Sequence, residues 1–202
     1  MSLQLSESDF RCTAEELGRG GFGIVYRGSV LRDGKWAKAA IKLVPARGSV
    51  VDELRLHANV RSKHVVRLLG FCPQPQFDRV IIVMELLGGR SFEALRADPG
   101  AAPPGEQQRV VHLIHLAEGL RDCHKEGIVH GDIKPDNAML SEAGTAKWVD
   151  LGLAKEMGGG AQAADRGFFG TLPYAAPELL GGTSHTGRSR EADTWAFGQV
   201  QP

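Results

Sequence analysis

The stretch from residue 128 to 137, IVHGDIKPDN, constrains this chain more than any other feature. It places Asp132, Lys134 and Asn137 at positions i, i+2 and i+5, and Pro135 excludes a regular helix or strand there. Such a loop can present a carboxylate to a hydroxyl group, an ammonium to a phosphate and an amide oxygen to a metal ion. Asp150 follows 13 residues after Asn137, at the end of a predicted strand. As isolated surface acids these aspartates would mean nothing, but their order and spacing favour phosphoryl transfer, which needs charge neutralisation and a base near the nucleophile.

Residues 17–25, LGRGGFGIV, contain the pattern G-x-G-x-x-G at Gly18, Gly20 and Gly23. Alone the pattern is weak, because dinucleotide-binding turns and turns without any ligand share it. A dinucleotide site requires a helix directly after the glycines, whereas IVYRGSV is typical of a strand and contains a further glycine, Gly28. We therefore favour a glycine hairpin whose backbone N–H groups approach phosphates.

Lys42 lies within an apolar predicted strand, 19 residues after Gly23. A buried ammonium is costly unless a carboxylate or phosphate pairs with it, although a lysine at a strand end can also extend its amine to solvent. Glu53 is the expected partner, since the apolar residues beside it would bury the adjacent face of a helix predicted for residues 49–60. Such a pair would direct Lys42 at the α- and β-phosphates.

The charges of the chain are balanced, with 24 Lys and Arg against 24 Asp and Glu. We therefore expect no nucleic acid or anionic membrane partner. Three separated cysteines without a CxxC pair favour free thiols in a reducing compartment. The longest apolar run is far too short to span a membrane, and the N-terminus lacks the features of a secretory signal. We expect a soluble, cytoplasmic domain without membrane insertion; a membrane-anchored parent protein stays open as an alternative.

The order of predicted elements indicates the fold class. Extended segments fill residues 16–44 around a turn at Arg32-Asp33-Gly34, a short helix follows, and further strands are predicted over 65–70 and 80–86. One face of a predicted long helix ending at Gly127 is marked by Val110, Leu113, Ile114, Ala117 and Leu120. We predict an α+β fold with an antiparallel sheet and one helix over residues 1–87 and a mainly helical part over residues 88–202.

In this order the motifs resemble those of eukaryotic protein kinase catalytic domains. The resemblance runs from about Leu17 to Gly198 and comprises the glycine loop, AIK at 40–42, HGD with KPxN at 130–137, DLG at 150–152, APE at 176–178 and DTWAFG at 193–198. Lys134 together with GTLPY at 170–174 matches the serine/threonine pattern, and HVVRLLGFC and GLAK resemble the receptor-like, tyrosine-kinase-like subgroup. The resemblance implies a two-lobe fold, ATP and Mg²⁺ as cofactors, and transfer of the γ-phosphate to serine or threonine hydroxyls of a protein substrate.

The resemblance also implies a role for each motif residue. Asp132 would be the catalytic base and Lys134 would contact the γ-phosphate, while Asn137 and Asp150 would hold Mg²⁺. Lys42 would orient the phosphates with the help of Glu53. The other ATP-binding residues would be Leu17, Gly18, Gly20, Gly21, Gly23, Val25, Ala40, Glu85, Leu87 and Met139, with Met84 as the gatekeeper behind the adenine.

Several positions depart from the family pattern. Gly131 replaces the usual Arg of HRD, which pairs with a phosphate in the activation segment, and residues 151–170 contain no Ser, Thr or Tyr. Phosphate gating is therefore not expected. Leu151 replaces the Phe of DFG, an apolar exchange. The segment between Lys42 and Glu53 is shorter than usual in the family, which abbreviates the start of the helix.

The chain stops soon after Gly198, where the family continues with further helices. An incomplete helical lobe would expose parts of Trp195 and Phe197 and the apolar side of residues 110–120, so a partner could cover this lobe. Two functions remain open, an active serine/threonine kinase and a catalytically inactive kinase-like binding module. A dinucleotide-dependent oxidoreductase is excluded by Lys42 combined with the acids and amide of the two later motifs.

Overall fold

A computed structural model describes residues 3–21, 23–46, 50–100, 102, 104–152, 154–156, 170–180 and 189–200, without the side chains of residues 51–53 and 155. The chain divides into two compact units. The first comprises Met1–Ala58 and Val66–Leu87, and the second comprises Asn59–Val65 and Gly88–Pro202.

The first unit contains a five-stranded antiparallel sheet and one helix. Its elements are β1 (Phe10–Gly20), β2 (Gly23–Arg32), β3 (Lys35–Pro45), α1 (Val50–Asn59), β4 (Leu68–Gln74) and β5 (Arg79–Glu85). The strand order is β1-β2-β3-β5-β4. The predicted turn is confirmed, because β2 and β3 are joined by Asp33 and Gly34, whose φ angles of 49° and 74° fit a tight hairpin.

Alternation along the strands gives this sheet two buried faces. One face is packed around Leu5, Val30, Ala39, Ile41, Cys72, Ile81 and Val83. The other face receives Val50 and Leu54 of α1 against Val44, Leu68, Val80 and Ile82. The helix predicted over residues 49–60 is thus confirmed, and its apolar residues fix it to the sheet.

The strand predicted over residues 65–70 is wrong in its position, because β4 begins at Leu68. Val65 instead forms a parallel bridge with Trp148, both within the second unit. Arg67 exchanges hydrogen bonds with Glu85 through its backbone N–H and C=O groups, outside the regular ladder. The apolar pattern VVRLL did not distinguish these contacts from sheet pairing.

The second unit is mainly helical among its described residues. Its elements are α2 (Phe92–Arg96), α3 (Glu106–Lys125), β6 (Ile128–Val129), β7 (Ala138–Leu140), β8 (Ala146–Trp148), β9 (Lys155–Glu156), α4 (Pro177–Leu180) and α5 (Arg190–Gly198). The short strands form two pairs, β6 with β9 and β7 with β8. Together the two units confirm the α+β class.

The long helix α3 is confirmed. Its buried residues are His112, Leu116, Gly119, Leu120 and Cys123. Of the apolar face marked in the sequence only Leu120 is among them, whereas Val110 and Ile114 are each 51% exposed. The face that packs inside the second unit is therefore not the most apolar face of the helix.

Gly119 lies on the buried face of α3, where only a residue without a side chain fits. A Cβ atom there would lie 2.6 Å from the carbonyl oxygen of His64, so only glycine lets α3 approach the segment of residues 59–65. At the other end of the helix, Gly127 has the predicted capping role: its φ is 74° and its N–H donates to the carbonyl of His124.

Several large apolar side chains of the second unit are exposed. Trp195 is 47% exposed, and Val110, Val111 and Ile114 form an exposed stripe on α3. This agrees with the expected exposure of Trp195 and of the apolar side of residues 110–120. No helix of the described residues is long and apolar enough to cross a membrane.

Candidate active site

The loop between β6 and β7 brings Asp132, Lys134 and Asn137 together, as their spacing predicted. Asn137 Nδ2 donates to Asp132 Oδ2 at 3.0 Å and to the carbonyl oxygen of Asp132 at 2.8 Å. Thr171 Oγ1 donates to Asp132 Oδ1 at 2.8 Å. Lys134 Nζ lies 2.9 Å from both Asp132 Oδ2 and Thr171 Oγ1. The Asp132 carboxylate is therefore held on both oxygens by three different side chains.

Pro135 determines how this loop turns. It begins a 3₁₀ turn, Pro135–Asn137, in which the N–H of Asn137 donates to the carbonyl of Lys134 at 3.0 Å. The fixed φ of proline favours such a turn start, and its missing N–H leaves no donor unpaired there. The carbonyl of Asn137 then accepts from Val149 N–H at 2.8 Å, which joins the loop to the end of β8.

Asp193 of α5 anchors the beginning of the same loop. Its carboxylate accepts the backbone N–H groups of His130 at 2.8 Å and Gly131 at 2.9 Å. His124 Nε2 lies 2.9 Å from Asp193 Oδ2. The side chain is 2% exposed, so these donors replace its lost hydration. Asp193 belongs to the DTWAFG motif, from which no role was predicted for it, although an acid on the same side of the helix as Ala192 and Ala196 is a signal for a buried contact.

Gly131 has a backbone conformation that favours glycine. Its φ is 77°, in the left-handed region that most L-residues adopt only at a free-energy cost. The sharp turn at this position directs two successive N–H groups at Asp193. The absence of a side chain at residue 131 therefore suits the local geometry of the loop.

His130 is fully buried beside this network. Burial lowers the pKa of His130, although the charges of Asp193, Asp132 and Asp150 act in the opposite direction. Its Nδ1 faces the N–H of Asp132 at 3.4 Å, as an acceptor would. Its ring meets the indole of Trp148 edge to face, with centroids 5.7 Å apart. A neutral imidazole thus fills the core under the loop.

Asp150 follows β8 and also has a left-handed backbone, with a φ of 60°. Its Oδ1 accepts the N–H of Gly152 at 3.2 Å. Leu151, which stands where the family has Phe, is buried. Asp150 and Asn137 belong to one unit and are linked through the hydrogen bond from Val149 to Asn137.

The first unit carries most of the residues predicted to bind the nucleotide. The glycine segment is the hairpin of β1 and β2, closed by the pair Gly20 and Gly23, as expected for a phosphate cradle and not for a dinucleotide turn. Cβ atoms added at Gly18, Gly20 or Gly21 would meet nothing within 4 Å, so the backbone there is open to a ligand. Gly23 differs, because its φ of 133° and the adjacent carbonyl of Leu43 leave no room for a side chain.

Strand register places four predicted residues on one face of the sheet. Val25 pairs with Lys42, and Ala40 pairs with Met84. Lys42 is 6% exposed. The expected partner, Glu53, lies on α1 at the same face, but its side chain falls outside the described residues. Glu85 is the last residue of β5, and Leu87 lies two residues after it. Met139 lies on β7 in the second unit.

The described residues contain no group of three or more His, Cys, Asp or Glu side chains arranged to hold a metal ion. Asn137 and Asp150 would supply one amide oxygen and one carboxylate. This set fits Mg²⁺ in a nucleotide site, because that ion takes most of its oxygen ligands from phosphates and water there.

Comparison with known proteins identifies the family. The sequence model of the protein kinase domain matches residues 12–201. The chain is 34% identical over 189 residues to human mitogen-activated protein kinase kinase kinase 5, covering 90% of this chain and 13% of that protein. It is 34% identical over 199 residues to receptor-like kinase TMK4 of Arabidopsis thaliana (91% and 20%) and 32% identical over 209 residues to cysteine-rich receptor-like protein kinase 45 of the same plant (98% and 56%).

The chain therefore spans between about an eighth and just over half of the length of these relatives. The match extends over nearly all its described elements and includes every motif discussed above. The chain belongs to the protein kinase domain family.

Proposed function

We propose that this domain transfers the γ-phosphate of ATP to serine and threonine hydroxyls of protein substrates. The observation that carries the proposal is the fixed Asp132 carboxylate, held by Asn137, Lys134 and Thr171. A general base must be oriented before it can accept a proton efficiently. Here three side chains of the chain itself supply that orientation.

The reaction assigns one role to each group of the second unit. The substrate hydroxyl oxygen forms a bond to the γ-phosphorus, the bond from that phosphorus to the bridging oxygen of ADP breaks, and the hydroxyl proton passes to Asp132. The ammonium of Lys134, 2.9 Å from that carboxylate, neutralises charge on the transferred group. Asn137 and Asp150 would hold Mg²⁺, which supplies further charge neutralisation when bound.

The first unit supplies the groups for the nucleotide. The open backbone at Gly18, Gly20 and Gly21 suits close approach of phosphate oxygens. Lys42 would orient the α- and β-phosphates with Glu53. The apolar face containing Val25 and Ala40 suits an adenine ring. Leu17, Gly23 and Met139 would be further ATP-binding residues. The backbones of Glu85 and Leu87 would contact its polar edge.

The contact between Lys134 and Thr171 supports serine and threonine as acceptors, because it reproduces the pair that the family's serine/threonine pattern contains. We propose division into an N-terminal lobe, 1–87, and a helical lobe, 88–202. The free thiols of Cys12, Cys72 and Cys123 support a cytoplasmic location. The exposed Trp195 and Ile114 support a protein partner that covers the helical lobe.

Phosphate transfer from ATP to a mixture of acidic and basic proteins tests the proposal, followed by separation of phosphoserine, phosphothreonine and phosphotyrosine. D132N is expected to lose transfer. D136N is the matched control, because Asp136 is an exposed acid in the same loop without a contact to the network. The proposal would be contradicted if the D132N variant kept the transfer activity of the parent chain, or if phosphotyrosine were the main product. ATP binding without any transfer would support the inactive binding module instead.

A further inference from the structure

Two histidines of the second unit stack on each other beside β8. His64 lies in the segment of residues 59–65, and His115 lies on α3. Their ring centroids are 4.4 Å apart and the ring planes differ by 19°. His64 is 1% exposed, and His115 is partly buried. Neither residue has a role in the proposed transfer reaction.

The stacked rings bind both backbone groups of Ala146, the first residue of β8. The carbonyl oxygen of Ala146 lies 3.2 Å from His64 Nδ1, which must donate because a carbonyl only accepts. The N–H of Ala146 donates to His115 Nδ1 at 3.3 Å. That nitrogen must therefore be unprotonated, so the contact exists only while His115 is neutral.

The surroundings of His115 disfavour its charged form. Burial lowers the pKa of His115, and the neighbouring His64, His112 and Lys63 act in the same direction, while Glu118 opposes them. Glu118 Oε2 lies 3.0 Å from His64 Nε2. The surroundings therefore favour the neutral ring of His115.

The same strand leads to a residue of the proposed site. The N–H of Trp148 donates to the carbonyl of His64 at 2.9 Å, and its indole N–H donates to the carbonyl of Leu116 at 2.8 Å. β8 is thus held along its length by the histidine segment and by α3. Asp150 follows two residues after its end.

We propose that His115 is a positioning residue that fixes β8 through the N–H of Ala146 and releases it when protonated, which makes the strand that leads to Asp150 sensitive to mild acid. Protonation places an N–H on Nδ1, so two donors face each other in a buried contact. Only the consequence for Asp150 rests on the proposed function. The contact itself does not.

The first test measures unfolding against pH from 7.5 to 5.5. Because the folded state favours neutral His115, the unfolded chain binds more protons below about pH 6.5, and stability falls as the pH falls. One such proton changes the unfolding equilibrium constant by up to about tenfold per pH unit. His112 and His130, which burial also keeps neutral, contribute in the same direction.

Two variants separate the acceptor from the ring. H115Q offers an amide oxygen that accepts from the N–H of Ala146 without titrating. It should therefore remove the contribution of one proton to the pH dependence of the unfolding free energy and keep most of the stability at pH 7.5. H115F keeps the stacked ring but has no acceptor, so it should be less stable at every pH. Wild-type pH dependence in H115Q would overturn the proposal.

The second test is local hydrogen–deuterium exchange of residues 146–150, corrected for intrinsic exchange rates. In the parent chain the protection should fall by up to about tenfold between pH 7.5 and 5.5, and in H115Q it should not. H112Q is the control on the same helix, because His112 faces the backbone of Gly144, outside the measured residues; its loss should change the pH dependence of global unfolding but leave that of the local exchange of residues 146–150 as in the parent. Equal behaviour of H115Q and H112Q would overturn the role of His115. Neither measurement requires phosphate transfer, so failure of the proposed function would leave both interpretable.

Discussion

Replacement of Asp193 by Asn should destabilise the second unit through its catalytic loop. The carboxylate accepts three donors, from His130, Gly131 and His124, and is almost completely buried. An amide offers one oxygen in place of two, so at least one buried N–H group loses its acceptor. Such a loss costs about 1–3 kcal/mol.

That free energy is large for a protein whose stability lies in the usual range of about 5–15 kcal/mol. For a chain of this size, each kcal/mol lowers the thermal midpoint by about 2–4 °C, so D193N should melt about 2–12 °C below the parent. Transfer should also slow, because Asp193 fixes the backbone next to Asp132. Nucleotide affinity should change little, since no donor to Asp193 belongs to the first unit.

E191Q is the matched control for thermal unfolding and steady-state transfer. E191Q removes the same charge from the same helix, but the side chain of Glu191 is exposed. The pKa of Glu191 is lowered by a backbone hydrogen bond at the helix start and by Ser189. Because water screens this exposed carboxylate, E191Q should lower the thermal midpoint far less than D193N. Indistinguishable melting of D193N and E191Q would refute the anchoring role.

Three further predictions concern the proposed chemistry. K42M should abolish transfer with little loss of stability, because Lys42 faces the ligand. A variant that keeps more than about a tenth of the parental rate, a rise of less than about 1.4 kcal/mol in activation free energy, would contradict the role of Lys42. D132N should lower turnover far more than ATP affinity, whereas D150N should mainly weaken Mg-ATP binding, and titrations with the opposite order would exchange the two roles. Phosphatase treatment should leave the rate unchanged, because residues 151–170 contain no hydroxyl side chain and Gly131 has no guanidinium for a phosphate; a large loss would reveal a regulatory phosphate elsewhere.

Local chemistry made parts of the fold predictable. Asp33 and Gly34 predict a two-residue hairpin turn because both residues tolerate positive φ. The proline and polar residues of 132–137 predict a loop, and their spacing brings three functional groups together. In each case the determining contacts join residues only a few positions apart.

Other features depend on contacts that are distant in the sequence. The buried face of α3 is selected by His64 through the close approach at Gly119, which no helical periodicity contains. The position of β4 depends on the bridge between Val65 and Trp148. The role of Asp193 requires donors more than 60 residues earlier. Sequence patterns within one element cannot supply this information.

The distance between Asp193 and its partners has a consequence for synthesis of the chain. The loop at residues 130–131 is translated more than 60 residues before the carboxylate that accepts its N–H groups. The sheet of the first unit, by contrast, has all its strands by residue 85 and joins most of them through hairpins. On the ribosome the sheet can form first, because domains generally fold in the order of translation. The catalytic loop acquires its final backbone only after α5 has emerged, so nascent chains that end before residue 193 should contain a formed sheet and no competent site.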